Sequence, residues 1–297
     1  MTLFDIEKQI EEMMISGLYP TVQLEQFRNF DNSLTDDTKE YTLETMESYK
    51  EYLQMIEQLP EKFKVAFLET LKKNEINHNQ ETENENPFLI SLYQNIGDMN
   101  SIELGMKLLE KKDGLISQDL KKLHYRIMHG TSNSEETYEF RRKNNIIVEG
   151  MNAGKRDIHF IPIDKKDIPK AVKLICEYLN SQATKEEDIL IKPFTAHALI
   201  AGLQGFTDGN TRLARLVSHL KIWQLSKQYG ITNVNLPAIY MSKSFYMMRG
   251  GYRDKVRNIM VDRTNESWNS WYVFNLNAFN EQLHFGKNNL EELKRRM

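Results

Sequence analysis

Apolar residues recur along this chain mostly at three- and four-residue spacing, which predicts a protein built largely of helices. Residues 37 to 73 read as one or two long helices, with Leu53, Ile56, Leu59, Phe63, Val65, Phe67 and Leu71 spaced for one buried stripe. Between Asn74 and Pro87 the pattern gives way to Asn77-His78-Asn79-Gln80-Glu81-Thr82-Glu83-Asn84-Glu85-Asn86. This polar, acidic break is the best boundary between an N-terminal helical unit and the rest of the chain. Helical spacing resumes near Ile90 and again at Ser117, a residue type suited to cap a helix. The expected organisation is a helical extension (1–75), a linker leading inward (76–116), a core (117–285) and the tail of a last helix (286–297).

One region departs from helical spacing. Asn145-Ile146-Ile147-Val148 and Ile158-His159-Phe160-Ile161 are β-prone runs around a Gly-containing turn, and they read as a hairpin. With 14 Gly and 7 Pro in 297 residues, little else interrupts the helices.

Charge and composition narrow the setting. A net charge of −3 lacks the basic bias of nucleic-acid binders. No apolar run approaches the ~20 residues that span a bilayer, and Met1-Thr2-Leu3-Phe4-Asp5-Ile6-Glu7 lacks a signal peptide's basic start and apolar block. A cytoplasmic protein, bound neither to nucleic acid nor to membrane, is the expectation. The single cysteine, Cys176, sits in an amphipathic helical pattern and reads as a buried small apolar side chain rather than a nucleophile.

The chemistry concentrates in Gln204-Gly205-Phe206-Thr207-Asp208-Gly209-Asn210-Thr211-Arg212-Leu213-Ala214-Arg215, ahead of a helical run. A tight turn opening a helix offers backbone N–H groups to an anion, and the helix dipole favours negative charge there. Arg212 and Arg215, three apart, share a helix face and can grip separate phosphates. Asp208 can hold a divalent cation that bridges them. Polyphosphate plus metal is the chemistry these residues suit.

The same stretch resembles the signature HxFx(D/E)GN(x)RxxR of Fic-domain proteins, most of which transfer AMP from ATP onto a protein hydroxyl. Phe206, Asp208, Gly209, Asn210, Arg212 and Arg215 match at the right spacing, while Gln204 stands where the family has its catalytic histidine. Ala196-His197 matches a second, upstream histidine. Glu139-Phe140-Arg141, the hairpin, Leu236 to Ser242, Tyr252 on a following helix, and Trp268-x-x-Trp271 extend the likeness over roughly residues 75 to 285. The two tryptophans read as core anchors.

The resemblance implies an all-α Fic fold with one small β-hairpin flap and an N-terminal helical extension. It also implies a nucleotide held by Gly209, Asn210, Thr211, Arg212, Arg215 and Tyr252, with Mg2+ (or Mn2+) on Asp208 and ATP as co-substrate. Asn210 and Arg212 join position 204 in the catalytic set. The flap residues Asn145, Ile146, Ile147, Val148, Ile158 and Phe160 would dock a target protein by strand addition. Thr211 offers a hydroxyl to cap the helix. Asn79-Gln80-Glu81-Thr82-Glu83-Asn84 has the spacing of the family's inhibitory (S/T)xxxE(G/N) element, which would pair Glu83 with Arg215. A solvated linker is the plainer reading of that segment.

A glutamine amide is not basic, and losing a general base costs ~10²–10⁴ in rate. The chain therefore reads as a protein adenylyltransferase impaired at position 204, whether that glutamine is engineered or natural. The alternatives are an inactive nucleotide- or protein-binding regulator, or a Fic variant moving another phosphate-bearing group. His197 as a substitute base is a remote option, since a core histidine is the commoner outcome. The target protein is unknown, and a homo-oligomer stays open.

Overall fold

A computed structural model describes residues 3–28, 30, 33–82, 92–129, 138–148 and 158–297. The first part of the chain supplies α1 (Leu3–Ser16), α2 (Asp36–Glu57), α3 (Glu61–Thr82) and α4 (Leu92–Leu109). The middle holds α5 (Ser117–Ile127), the strands β1 (Ile147–Val148) and β2 (Ile158–Phe160), then α6 (Ile168–Asn180) and α7 (Asp188–Leu203). The remainder is α8 (Asn210–Gln228), α9 (Ser242–Met247), α10 (Arg249–Val261) and α11 (Asn265–Arg296). The apolar spacing and the hairpin signal thus both lead to the observed elements.

Two helices form the centre. Every residue of α7 from Ile189 to Leu203 is buried, and so is every residue of α8 from Arg212 to Trp223. A helix buried on all sides needs neighbours on all sides. Helices α4 and α5 pack on α8, whereas α6, α10 and α11 pack on α7. Trp268 and Trp271 anchor α11 with at most 1% exposure, and the Trp271 indole donates to the Phe194 carbonyl at 2.7 Å. Cys176 is buried in α6, and burial pushes its thiol up to about 12, as a packing residue requires.

Ends of helices are set by local chemistry. Thr35 accepts from the Thr38 N–H ahead of α2, and Thr264 accepts from the Ser267 N–H ahead of α11. The start of α5 differs from expectation. Ser117 is its first helical residue, and Asp119 closes the end by accepting from the Ile116 N–H at 3.1 Å.

Two further expectations change. The polar stretch after Asn74 does not end α3, which continues to Thr82. Tertiary contact outweighs weak helix formers there: Glu75 is buried and accepts from Ser242 Oγ at 2.6 Å, and Ile76 is in the core. The single stripe also fails. A break at Leu59-Pro60 separates α2 from α3, so the helical phase resets and leaves Phe63 and Val65 exposed while Phe67 and Leu68 are buried.

Helices α2, α3 and α4 share one core cluster with the rest, whose members run from Val22 to Leu290. The chain around Thr21 adds alongside the end of the hairpin, where Val22 N–H donates to Ile161 O at 2.9 Å and Ile161 N–H to Pro20 O at 2.7 Å. Helix α2 lies against α11 so closely that a Cβ on Gly286 would sit 2.7 Å from the Tyr52 ring. Tyr52 is itself pinned, its hydroxyl donating to Ala238 O at 3.0 Å. Gly286→Ala should therefore lower unfolding stability by about 1–3 kcal/mol through overpacking, read by chemical denaturation. An unchanged midpoint would show that α2 does not press on α11.

Candidate active site

The turn between α7 and α8 is built by two residues with positive φ. Gln204 ends α7 at φ 48°, and Gly209 precedes α8 at φ 74°. Only Gly209 is free of the usual penalty. A side chain would not fit there in any case, since a Cβ would meet Met128 Sδ at 2.4 Å and His124 Nε2 at 3.0 Å. The strained backbone at Gln204 needs outside support.

That support comes from three side chains. Asn210 closes the turn on itself: its Oδ1 accepts from Phe206 N–H and its Nδ2 donates to Phe206 O, both at 2.9 Å. His124, from α5, stacks on Phe206 with ring centroids 3.7 Å apart, and its Nε2 donates to the Asp208 carbonyl at 2.6 Å. Arg141, from the segment that leads into β1, donates from Nε to Gln204 O at 2.7 Å, while its backbone N–H donates to Gly205 O at 2.9 Å. The rest of its guanidinium reaches Lys143 O, Asn144 Oδ1 and Ile163 O. One buried cation thus joins the turn to both legs of the hairpin. Burial pulls Arg141 down to about 10, which leaves it charged at neutral pH.

Most of the predicted phosphate-binding residues gather at this turn. Asn210, Arg212 and Arg215 are all buried on the opening turns of α8, with Gly209 before them. Thr211 is the second helical residue; the N-cap position belongs to Gly209, so capping by the Thr211 hydroxyl is not the arrangement found. Asp208 is half-buried at the mouth of the turn, its Oδ1 accepting from Gly209 N–H at 2.7 Å. Among the described residues no group of three or more His, Cys, Asp or Glu could cage a metal. A single carboxylate beside a phosphate site is nevertheless the donor set Mg2+ uses when it arrives with a nucleotide.

Gln204 is held inward. Its Nε2 donates to Ala201 O at 2.7 Å and its Oε1 accepts from Asn210 Nδ2 at 3.3 Å. His197 lies in the core, fully buried, 3.0 Å from the Tyr252 hydroxyl and edge-on to Phe245 and Trp271. Burial first, and then the charges of Arg215 and His219, hold its imidazole well below its ordinary value. A neutral, enclosed His197 is a packing residue. Tyr252 shares that aromatic cluster, its ring meeting His197 and Trp271.

The hairpin stands beside the turn. Ile147 pairs with Phe160 and Val148 with Ile158, antiparallel. Asn145, Ile146, Ile147, Val148 and Ile158 are half-buried, whereas Phe160 is buried in the core and anchors the hairpin rather than facing outward. A cleft of about 600 Å³ opens between the hairpin's entry and the turn, lined by Phe140, Arg142, Asn144, Asn145 and Thr207 among others. Within it Asn144 Nδ2 and Asn145 Oδ1 are buried with no hydrogen-bond partner among the described residues. Glu83 lies outside the described residues, as do positions 149–157 of the hairpin.

Sequence reasoning missed His124, Met128 and the role of Arg141. Arg141 was visible only as part of a segment entering the hairpin. An arginine flanked by an aromatic residue, ahead of a β-prone run, was the one available signal.

Comparison with known proteins agrees with this architecture. The Fic/DOC family model matches residues 114–221, from the loop before α5 to the middle of α8. A Fic family protein from Desulfovibrio desulfuricans G20 superposes with a TM-score of 0.60 at 15% identity, covering 88% of this chain and 77% of that one. A Fic domain containing signaling protein from Bacteroides thetaiotaomicron gives 0.62 at 11% identity, covering 84% of this chain and 98% of the other. Residues 134–508 of Fic-1 from C. elegans give 0.52 at 14% identity, covering 84% of this chain and 71% of that one. No curated protein matches the chain. These helices and this hairpin are those of the Fic fold.

Removing Arg141 would strand the carbonyls of Gln204 and Ile163 without their charged donor. Arg141→Ala should cost about 2–4 kcal/mol of stability and should speed amide exchange at Gly205 and Phe206 more than in α11. Equal protection of the turn with and without the guanidinium would refute its bracing role.

Proposed function

We propose that the turn from Gln204 to Arg215 binds the polyphosphate of a Mg2+-nucleotide, in a chain of the Fic type whose scaffold serves nucleotidyl transfer to a protein hydroxyl. The observation that carries this reading is the burial of Asn210, Arg212 and Arg215 together on the first turns of α8, behind the positive-φ Gly209. Two guanidinium groups three residues apart share one helix face and suit separate phosphates, and a helix start adds backbone N–H groups to the same point. Arg212 and Arg215 would bind separate phosphates, with Asp208 holding the Mg2+ that neutralises them.

In the reaction this scaffold suits, a Ser, Thr or Tyr oxygen bonds to the α-phosphorus of ATP. The bond from that phosphorus to the β-phosphate bridge breaks, pyrophosphate leaves, and the hydroxyl proton must go to an acceptor. Gln204 cannot accept it. Positioning and charge stabilisation by Asn210, Arg212 and Arg215 remain available. The half-buried hairpin beside this cleft suits a polypeptide target, which would add to it as an extended strand. A transferred group other than AMP fits the same phosphate chemistry.

A second reading is a nucleotide-binding regulator without transfer activity. It is favoured by the inward hydrogen bonds of Gln204, whose amide braces Ala201 and Asn210 instead of facing a substrate.

Calorimetry with Mg2+-ATP tests the binding site: Arg212→Ala should weaken affinity roughly ten- to hundredfold, and equal affinity in both proteins would dismiss the assignment. Catalysis is tested by Gln204→His, which should raise transfer onto lysate proteins, or onto the chain itself, by about 10²–10⁴-fold. A silent histidine variant that still binds nucleotide, tried with ATP and with other nucleotide donors, would favour the regulator.

A further inference from the structure

The far end of α8 carries a second cleft. It encloses about 880 Å³ and is formed by the loop between α4 and α5, the loop between α6 and α7, and the last turns of α8. Its walls are fixed. Asn180 grips the α4–α5 loop at both polar groups of Leu115, accepting from its N–H and donating to its carbonyl at 2.8 Å each. Gly114 holds φ 72° against the Asn180 amide, where a Cβ would come within 2.5 Å. On the other wall Gln224 donates to Leu109 O and accepts from Lys221 Nζ at 2.7 Å.

The lining is polar and its charge is one-sided. Among the described residues Lys111, Lys112 and Lys221 line it, against Asp113 alone. Lys111 is neutralised by Asp119 at 2.7 Å, but Lys221, with only 5% exposed, has a glutamine for its hydrogen-bond partner. Directly behind the lining residue Ser181 sits Lys192, 4% exposed, whose ammonium donates to the Ser181 hydroxyl at 2.7 Å and to its carbonyl. Burial is the larger cause and the neighbouring Lys192 the smaller in lowering Lys221 to about 8. Burial likewise lowers Lys192 to about 8, with Asp188 offsetting it in part. Lys192 is covered by its two bonds to Ser181 and by the Tyr178 ring 5.2 Å away, whereas Lys221 pairs with no carboxylate among the described residues, which is unfavourable for a buried ammonium unless something compensates it. Neither contacts the turn at 204–215.

We propose that this cleft is a second ligand site, taking a small polyanion that carries phosphate or carboxylate groups. The ligand's charges would sit against Lys221 and Lys112, with Gln182 and Gln224 supplying hydrogen bonds. Lys192 acts from behind as a positioning residue that holds the wall at Ser181, whose hydroxyl accepts from the ammonium and donates to Tyr178 O.

The test is calorimetry on the full chain at neutral pH with inorganic tripolyphosphate and, separately, citrate. Both arms use the Arg212→Ala background, so that phosphate binding at the α7–α8 turn is suppressed. At least one anion should bind, and the stronger of the two identifies the ligand's chemistry. Lys221→Gln should weaken that binding roughly ten- to hundredfold. Lys112→Glu, on the exposed rim where folding is not at stake, should weaken it at least several-fold. Absence of binding by both anions, or binding that survives Lys112→Glu and Lys221→Gln undiminished, would overturn the proposal. Either result leaves the reading of the α7–α8 turn untouched.

Discussion

A guanidinium buried at Arg141 is the constraint on which the candidate site rests. Desolvating a cation costs several kcal/mol unless its donors are met, and here they are met by oxygens from three separate segments. The motif turn, the hairpin's entry and the hairpin's exit can therefore satisfy Arg141 only when all three are in place. The strained backbone at Gln204 and the cleft beside the hairpin depend on that. Asn210 and His124 complete the arrangement by tying the turn to itself and to α5. The start of α8 is thus held in one shape by the protein's own contacts, the condition that the proposed phosphate site would need for electrostatic stabilisation without reorganisation.

Much of this was legible in the sequence, for reasons that differ by element. The hairpin was readable because β-prone runs flank a glycine turn, and the central helices because their apolar spacing is dense. The turn at 204–215 was readable because a Gly-Asn pair between a carboxylate and two arginines has few structural uses. The start of α8 at Asn210 and the burial of Arg212 and Arg215 agree with it. What failed was whatever depends on a distant partner. The persistence of α3 through its polar segment rests on Glu75 meeting Ser242, 167 positions away. Phe63 and Val65 left the core because a proline reset the helical phase. Phe160 looked like a docking strand residue, yet it turns inward to hold the hairpin down.

Gln204 joins the two halves of the functional question. In the proposed reaction a proton acceptor would be needed at its position at the end of α7, and its amide instead completes the hydrogen bonding of the turn. The same residue can therefore weaken chemistry and stiffen a binding site. Nothing in that trade affects the lysine-lined cleft at the other end of α8. One long helix, buried from Arg212 to Trp223, thus carries two arginines at its start and, near its end, Lys221, which lines a separate cleft.

A crystal structure of the full chain with Mg2+ and a non-hydrolysable ATP analogue puts the preformed phosphate site to the sharpest test. Phosphates should be seated over Gly209 and the first turns of α8, against Arg212 and Arg215, with the metal on Asp208. The hydrogen bonds from Arg141 to Gln204 and from Asn210 to Phe206 should be unbroken. A nucleotide bound elsewhere, or a turn rebuilt around it with those bonds lost, would contradict a preformed site.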